Sequence, residues 1–104
     1  GPAPTQSVPE GPVRDPDVHA RGVFQPSPEY PRRARVARVE GIVILDAIIR
    51  TDGTVGDLKV IQGLGMKCTE AAIDAVRQWR YEPASVNGRL VEQILTVEVA
   101  FSLE

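Results

Sequence analysis

Two long stretches of this chain carry the period-two signature of β-structure, and a stretch between them carries a helical period. That order constrains the fold more than any other feature. In the first, GIVILDAIIR at 41–50, Val43, Leu45, Ala47 and Ile49 fall on one side, while Ile42, Ile44, Asp46, Ile48 and Arg50 fall on the other. β-Branched residues run throughout it, as strands favour. In the last, Leu95, Val97, Val99, Phe101 and Leu103 alternate with Thr96, Glu98, Ala100 and Ser102, the pattern of a sheet with one covered face. Between them, in EAAIDAVRQWRY, Ala72, Ile73, Val76 and Trp79 recur at helical spacing and form one apolar stripe.

The residues between these stretches say how they connect. Asp52-Gly53 predicts a hairpin turn after the first strand, because both positions favour positive φ. The strand beyond it, TVGDLKVIQ, carries Asp57 and Lys59 and suits a sheet edge, where charge discourages unwanted pairing. Thr69 is the expected N-cap of the long helix. Glu70 and Asp74 near its start and Arg77 and Arg80 near its end complement its dipole, and Pro83 is expected to stop it. Asn87-Gly88 marks the turn into the last strand. Upstream, Pro31 opens a short helix, PRRARVARV, with Ala34, Val36 and Ala37 as its apolar face. The predicted fold class is α+β. A three-stranded antiparallel sheet has the second strand, the first and the last side by side (order 2-1-3), with a short and a longer helix packed on one face.

Composition shifts near residue 28, with seven of the nine prolines at or before it. Residues 1–28 therefore read as a disordered, proline-rich leash, and 29–104 as the domain. Gly1-Pro2 reads as the scar of a protease site. Val23 and Phe24 are the sizeable apolar side chains near the end of the leash, and are its candidates for docking. The 104 residues leave room for one small domain. A net charge of −2 and a pI near 5.4 argue against a general nucleic-acid binder. One cysteine, Cys68, and one histidine, His19, cannot build a disulfide or a metal cluster. The carboxylates Asp46, Asp52, Asp57 and Asp74 show no paired spacing, and no Ser or Cys has an ordered His partner. No catalytic residue, metal site or cofactor is expected.

What remains for function is surface. The last strand has no lysine, no proline and one acid, Glu98. As an edge, Thr96, Val97, Glu98, Val99, Ala100, Phe101, Ser102 and Leu103 would present unpaired backbone groups to an extended peptide. If Val43, Leu45 and Ile49 face the helices, Ile42, Ile44 and Ile48 form an apolar patch on the opposite face, a second candidate contact. Arg32, Arg33, Arg35 and Arg38 form a basic cluster, either a solvated helix face or a contact for acidic peptide, lipid or cell-wall polymer. Trp79, Tyr81 and Phe101 are expected in the core, Cys68 as a buried thiol, and His19 as a solvated residue of the leash.

From Tyr30 to Leu103 the sequence resembles the C-terminal domain of TonB-family energy transducers of Gram-negative envelopes. The marks are Tyr30-Pro31, Gly41-x-Val43, Asp52-Gly53-x-Val55, Ala71-Ala72, then Trp79-Arg80-Tyr81-Glu82-Pro83, Asn87-Gly88 and Phe101-x-Leu103. Cys68 stands where the family usually has a larger apolar residue. The resemblance implies a non-catalytic periplasmic domain that binds a short receptor segment, TonB-box-like, by strand addition to its last strand. It also implies coupling to an inner-membrane, proton-driven motor through an upstream anchor that this chain lacks. The alternative is a self-associating module of another envelope machine, in motility or secretion, with the open edge or the isoleucine patch making a homodimer.

Overall fold

The first alternating stretch becomes the middle of a sheet because its odd-numbered side chains are all apolar and its even-numbered ones nearly so. The computed structural model describes residues 11–103; the first ten residues, including Gly1-Pro2, and Glu104 lie outside that range. In chain order the elements are β1 (Arg21–Phe24), α1 (Arg32–Val36), β2 (Gly41–Ile49), β3 (Val55–Gln62), α2 (Cys68–Arg77), β4 (Arg80–Glu82), β5 (Ala84–Val86), β6 (Arg89–Val91) and β7 (Gln93–Phe101). The main sheet runs β3–β2–β7, antiparallel at both junctions.

Val43, Leu45, Ala47 and Ile49 are fully buried. Ala34 of α1, Ala72 and Val76 of α2, and Val97, Val99 and Phe101 of β7 share their cluster, so both helices cover the same face of the sheet. Each fully buried Val, Leu or Ile contributes about 1.5–3 kcal/mol relative to exposure. The expected core aromatics take their places: Trp79, Tyr81 and Phe101 are all buried. Burial first, and Glu70 second, pushes the Cys68 thiol above its ordinary pKa, which keeps it protonated and inert.

Several local expectations fail for identifiable reasons. The long helix spans Cys68–Arg77 rather than reaching Tyr81, because Arg80–Glu82 leave it to pair with β1. Thr69 is not its N-cap. Its hydroxyl accepts from the Leu64 amide and donates to the Leu64 carbonyl, both at 2.8 Å, closing the preceding loop. Met66 and Lys67, at φ +57° and +70°, make the turn into the helix. The short helix stops at Val36, with Arg38 at φ +56°. There the Val39 amide donates to Ala34 and the Arg38 amide to Arg35, the Schellman closure. Of its expected apolar face only Ala34 is buried; Val36 is 75% exposed. In the β2–β3 turn only Gly53 has positive φ. A Cβ there would lie 2.2 Å from the Tyr81 carbonyl oxygen, so the position requires glycine. Asn87-Gly88, both at positive φ, close a separate β5–β6 hairpin before β7 begins.

The largest departure concerns the proline-rich segment, expected to be a disordered leash. Over residues 11–28 it lies on the domain. β1 pairs antiparallel with β4, the Trp79 indole donates to the Pro26 carbonyl at 2.8 Å, and Val18 and Ser85 exchange two backbone bonds at 3.0 Å. The side chains of Val23 and Phe24 nevertheless remain exposed. Composition predicted that this segment could not bury enough apolar surface. It docks largely through hydrogen bonds of backbone and polar side chains instead, which composition does not reveal.

Candidate partner-binding edge

The outer edge of β7 is built by a regular ladder with β2. Nine consecutive residue pairs, from Gly41↔Phe101 to Ile49↔Gln93, run without a register shift. The phase of the strand is set at its beginning. The Ile94 amide donates outward to the Val13 carbonyl at 2.8 Å, and the Glu92 carbonyl accepts from the Val13 amide at 2.9 Å. Since backbone direction alternates with a period of two, Thr96, Glu98 and Ala100 also turn their N–H and C=O groups outward. Leu95, Val97, Val99 and Phe101 turn theirs toward β2. No described residue pairs with the outward groups of Thr96, Glu98 and Ala100. Their side chains are exposed, while those of Val97, Val99 and Phe101 are buried. Ser102 and Leu103 lie beyond the strand, where the Leu103 amide donates to a Glu40 carboxylate oxygen at 2.9 Å.

Both ends of β7 are fastened. At the far end the Phe101 ring meets Tyr30 edge-on, with centroids 5.3 Å apart and planes at 86°. The Tyr30 hydroxyl donates to the Val39 carbonyl. At the near end Gln93, 1% exposed, holds the segment before β1. Its Oε1 accepts from the Ala20 amide at 2.7 Å, which leaves Nε2 to donate to His19 Nδ1 at 2.9 Å. His19 Nε2 then carries the ring hydrogen toward Asp15, 3.2 Å away. His19 is exposed, as expected, and is also a structural partner of Gln93. Sequence reasoning missed both residues, because a glutamine in a strand and a histidine among prolines give no local signal of each other.

The open face of the sheet carries the isoleucine patch. Ile42 is 40% exposed, Ile44 and Ile48 are half-buried, and Ile94 stands opposite Ile48. Asp46 interrupts the row. Its carboxylate accepts from the Thr96 hydroxyl at 2.6 Å and from Arg14 at 3.2 Å. The Thr96 hydrogen bond first, and Arg14 second, hold this carboxyl below the usual aspartate range. A shallow pocket of about 200 Å³ lies between Arg14, Asp46, Ile48, Lys59 and Ile94.

The four arginines are separate from this edge. Arg32, Arg33, Arg35 and Arg38 are exposed on and just after α1. Arg35 lies over the Tyr30 ring, 5.8 Å from its centroid. Among the described residues there is no cluster of His, Cys, Asp and Glu able to hold a metal ion. Nor, among the described residues, is any helix long and apolar enough to cross a membrane.

Comparison with known proteins places the whole arrangement. The family model for the Gram-negative bacterial TonB protein C-terminal region matches residues 26–103. Protein TonB of Escherichia coli is 31% identical over 93 residues, 88% of this chain and 36% of that protein. Protein TonB of Pseudomonas aeruginosa is 29% identical over 105 residues, covering 100% of this chain and 29% of that protein. The chain thus spans about a third of the length of these relatives. The solution structure of the Pseudomonas aeruginosa TonB C-terminal domain superposes with a TM-score of 0.67 at 27% identity, covering 85% of this chain and 90% of that one.

Proposed function

The chain belongs to the TonB C-terminal domain family, and from that premise we propose that it is the receptor-gripping domain of a periplasmic energy transducer. The role is non-catalytic. An extended segment of an outer-membrane receptor adds to β7 and pairs with the outward groups of Thr96, Glu98 and Ala100. Force then arrives through the upstream chain, from an inner-membrane anchor and its proton-driven motor. The observation that carries this reading is the straight, unshifted β7, whose outward backbone groups at those three residues have no partner among the described residues.

The magnitudes suit a coupling that must let go. Three residues offer six backbone groups, each bond worth about 1 kcal/mol net. Association alone costs an estimated 4–15 kcal/mol. Backbone pairing by itself therefore gives weak binding, and contacts made by the partner's side chains must supply the rest. The bonds of an added strand are nonetheless loaded together when it is pulled along its length.

A titration by NMR with a peptide from a receptor's N-terminal segment tests the proposal. Amide shifts should concentrate at Thr96, Glu98 and Ala100. Glu98→Pro removes one outward N–H without touching the β2 ladder and should abolish the shifts. Shifts confined to α1 or β3 would refute the proposal. A second reading has one observation in its favour: the exposed face bearing Ile42, Ile44, Ile48 and Ile94 could pair with a second copy. A concentration-independent dimer in sedimentation, without any peptide, would select that reading instead.

A further inference from the structure

The partner strand does not find the β7 edge empty along its whole length. Val13 already occupies the first step, taking the Ile94 amide and the Glu92 carbonyl in a parallel bridge. We propose that residues 11–15 form a releasable strap, an internal competitor that a long partner strand displaces as it pairs from Thr96 back toward Glu92. The proposal rests on the reading of β7 as the receptor site and adds what regulates that site and sets the length of its partner.

The strap is built loosely at its tip and firmly at its root. At the tip there is one bridging residue, because a bend at Arg14–Asp15 carries the chain off the edge. The added ion pair from Arg14 to Asp46 is exposed on the arginine side, 64%, and such pairs contribute little. The root is different. Pro16 is buried, His19 and Ala20 are held by the buried Gln93, and β1 is paired with β4. The tip can therefore lift while the segment stays attached. Its release frees the Ile94 amide and the Glu92 carbonyl, so the usable edge lengthens toward the start of the strand.

Two consequences follow for the partner. A short extended segment, about six residues, fits along Thr96–Ala100 with the strap seated. A segment of about ten residues reaches Ile94 only after Val13 has left. Chain order adds a mechanical corollary. Val13 is the first backbone attachment among the described residues, so tension reaching the domain from its N-terminal side loads the strap tip before any other described contact.

The test uses the full chain and the double variant Val13→Pro with Arg14→Ala. Both changes lie outside the core and leave Gln93, His19 and Ala20 intact. Without any peptide, amide hydrogen exchange should be slower at Ile94 than at Thr96, Glu98 and Ala100 in the unaltered chain, and should become comparable to them in the variant. Two synthetic peptides from a receptor's N-terminal segment, six residues and ten, are then titrated against both proteins. The short one should bind both alike. The ten-residue peptide should bind the variant about ten- to thirtyfold more tightly than the unaltered chain, the weight of two backbone bonds. An Ile94 amide exchanging as fast as Thr96 in the unaltered chain would overturn the strap. So would equal affinity of the long peptide for both proteins. Failure of both peptides to shift Glu98 would instead refute the receptor site, and the competition with it, whereas the exchange result alone decides whether the tip is seated.

Discussion

The main sheet has two edges, and they are built to opposite rules. β3 pairs with β2 through two register irregularities, near Ile44/Leu45 and Ala47/Ile49, and carries the exposed Asp57 and Lys59. Bulges and charge both frustrate the addition of another strand. β7 pairs with β2 in unbroken register, has no lysine or proline, and carries one exposed acid at Glu98. The difference teaches that an edge left plain is not an edge left unguarded. On β3 the protection is written into the strand itself and cannot be removed. On β7 it comes from Val13, a separate piece of chain that covers only the beginning of the strand.

The largest expected effect separates the two sides of β7. Proline at Glu98 removes an outward N–H, whereas proline at the neighbouring Val97 removes an inward one that pairs with Leu45. Val97 is also buried. Val97→Pro should cost about 3 kcal/mol or more, a large part of the 5–15 kcal/mol typical of a domain. Glu98→Pro should leave the urea midpoint nearly unchanged while losing partner binding. If the two prolines destabilise equally, the assigned phase of the strand is wrong, and the contrast between its inner and outer edges collapses.

A smaller effect tests whether the root of the strap belongs to the fold. Gln93→Leu keeps the volume but leaves the Ala20 amide without its acceptor and the His19 ring without its donor. The expected loss is about 1–3 kcal/mol, the penalty for an unsatisfied buried group, read as a shift of the urea midpoint. The Ile94 amide should also exchange faster, because the strap then loses one of its anchors, leaving β1, the Val18–Ser85 pair and the Asp17 carboxylate on the Asn87 amide to hold its root. A variant as stable as the unaltered chain would mean that the N-terminal segment merely rests on the domain.

The parts of this architecture visible in the sequence are those where one strand or helix carries its own period. Val43, Leu45, Ala47 and Ile49, and likewise Val97, Val99 and Phe101, announce their buried face by alternation alone. The main sheet follows from them and from the turn at Gly53. What alternation cannot show is pairing between short, non-repeating pieces. β4 hides in Arg80–Glu82 because the apolar stripe of α2 continues through Trp79, while pairing with β1 and with the turn at Gly53–Thr54 takes those residues out of the helix. The seating of residues 11–20 depends largely on backbone groups, one glutamine and the charged side chains of Arg14 and Asp17, none of which gives a periodic apolar signal. The candidate edge shares this duality: its strand was legible, but the occupant of its first step was not.

The smallest expected effect concerns the charge that links the strap tip to the sheet. Asp46 sits below the usual aspartate range because the Thr96 hydroxyl, and then Arg14, stabilise its ionised form. A carboxyl whose folded value is depressed contributes stability that is fully present above its unfolded value, about 4. That contribution is lost as the pH falls through the folded value. Arg14→Ala should therefore cost under about 1 kcal/mol at neutral pH, as exposed pairs do, and nothing measurable in strong acid, where Asp46 is protonated in both proteins. Urea midpoints at pH 7 and in acid below the folded value of Asp46 check both halves. If Arg14→Ala instead costs as much as Gln93→Leu, the tip is held by charge rather than by the Val13 backbone. Both edges of the sheet would then be guarded by the same means, and the distinction between a permanent and a removable guard would fail.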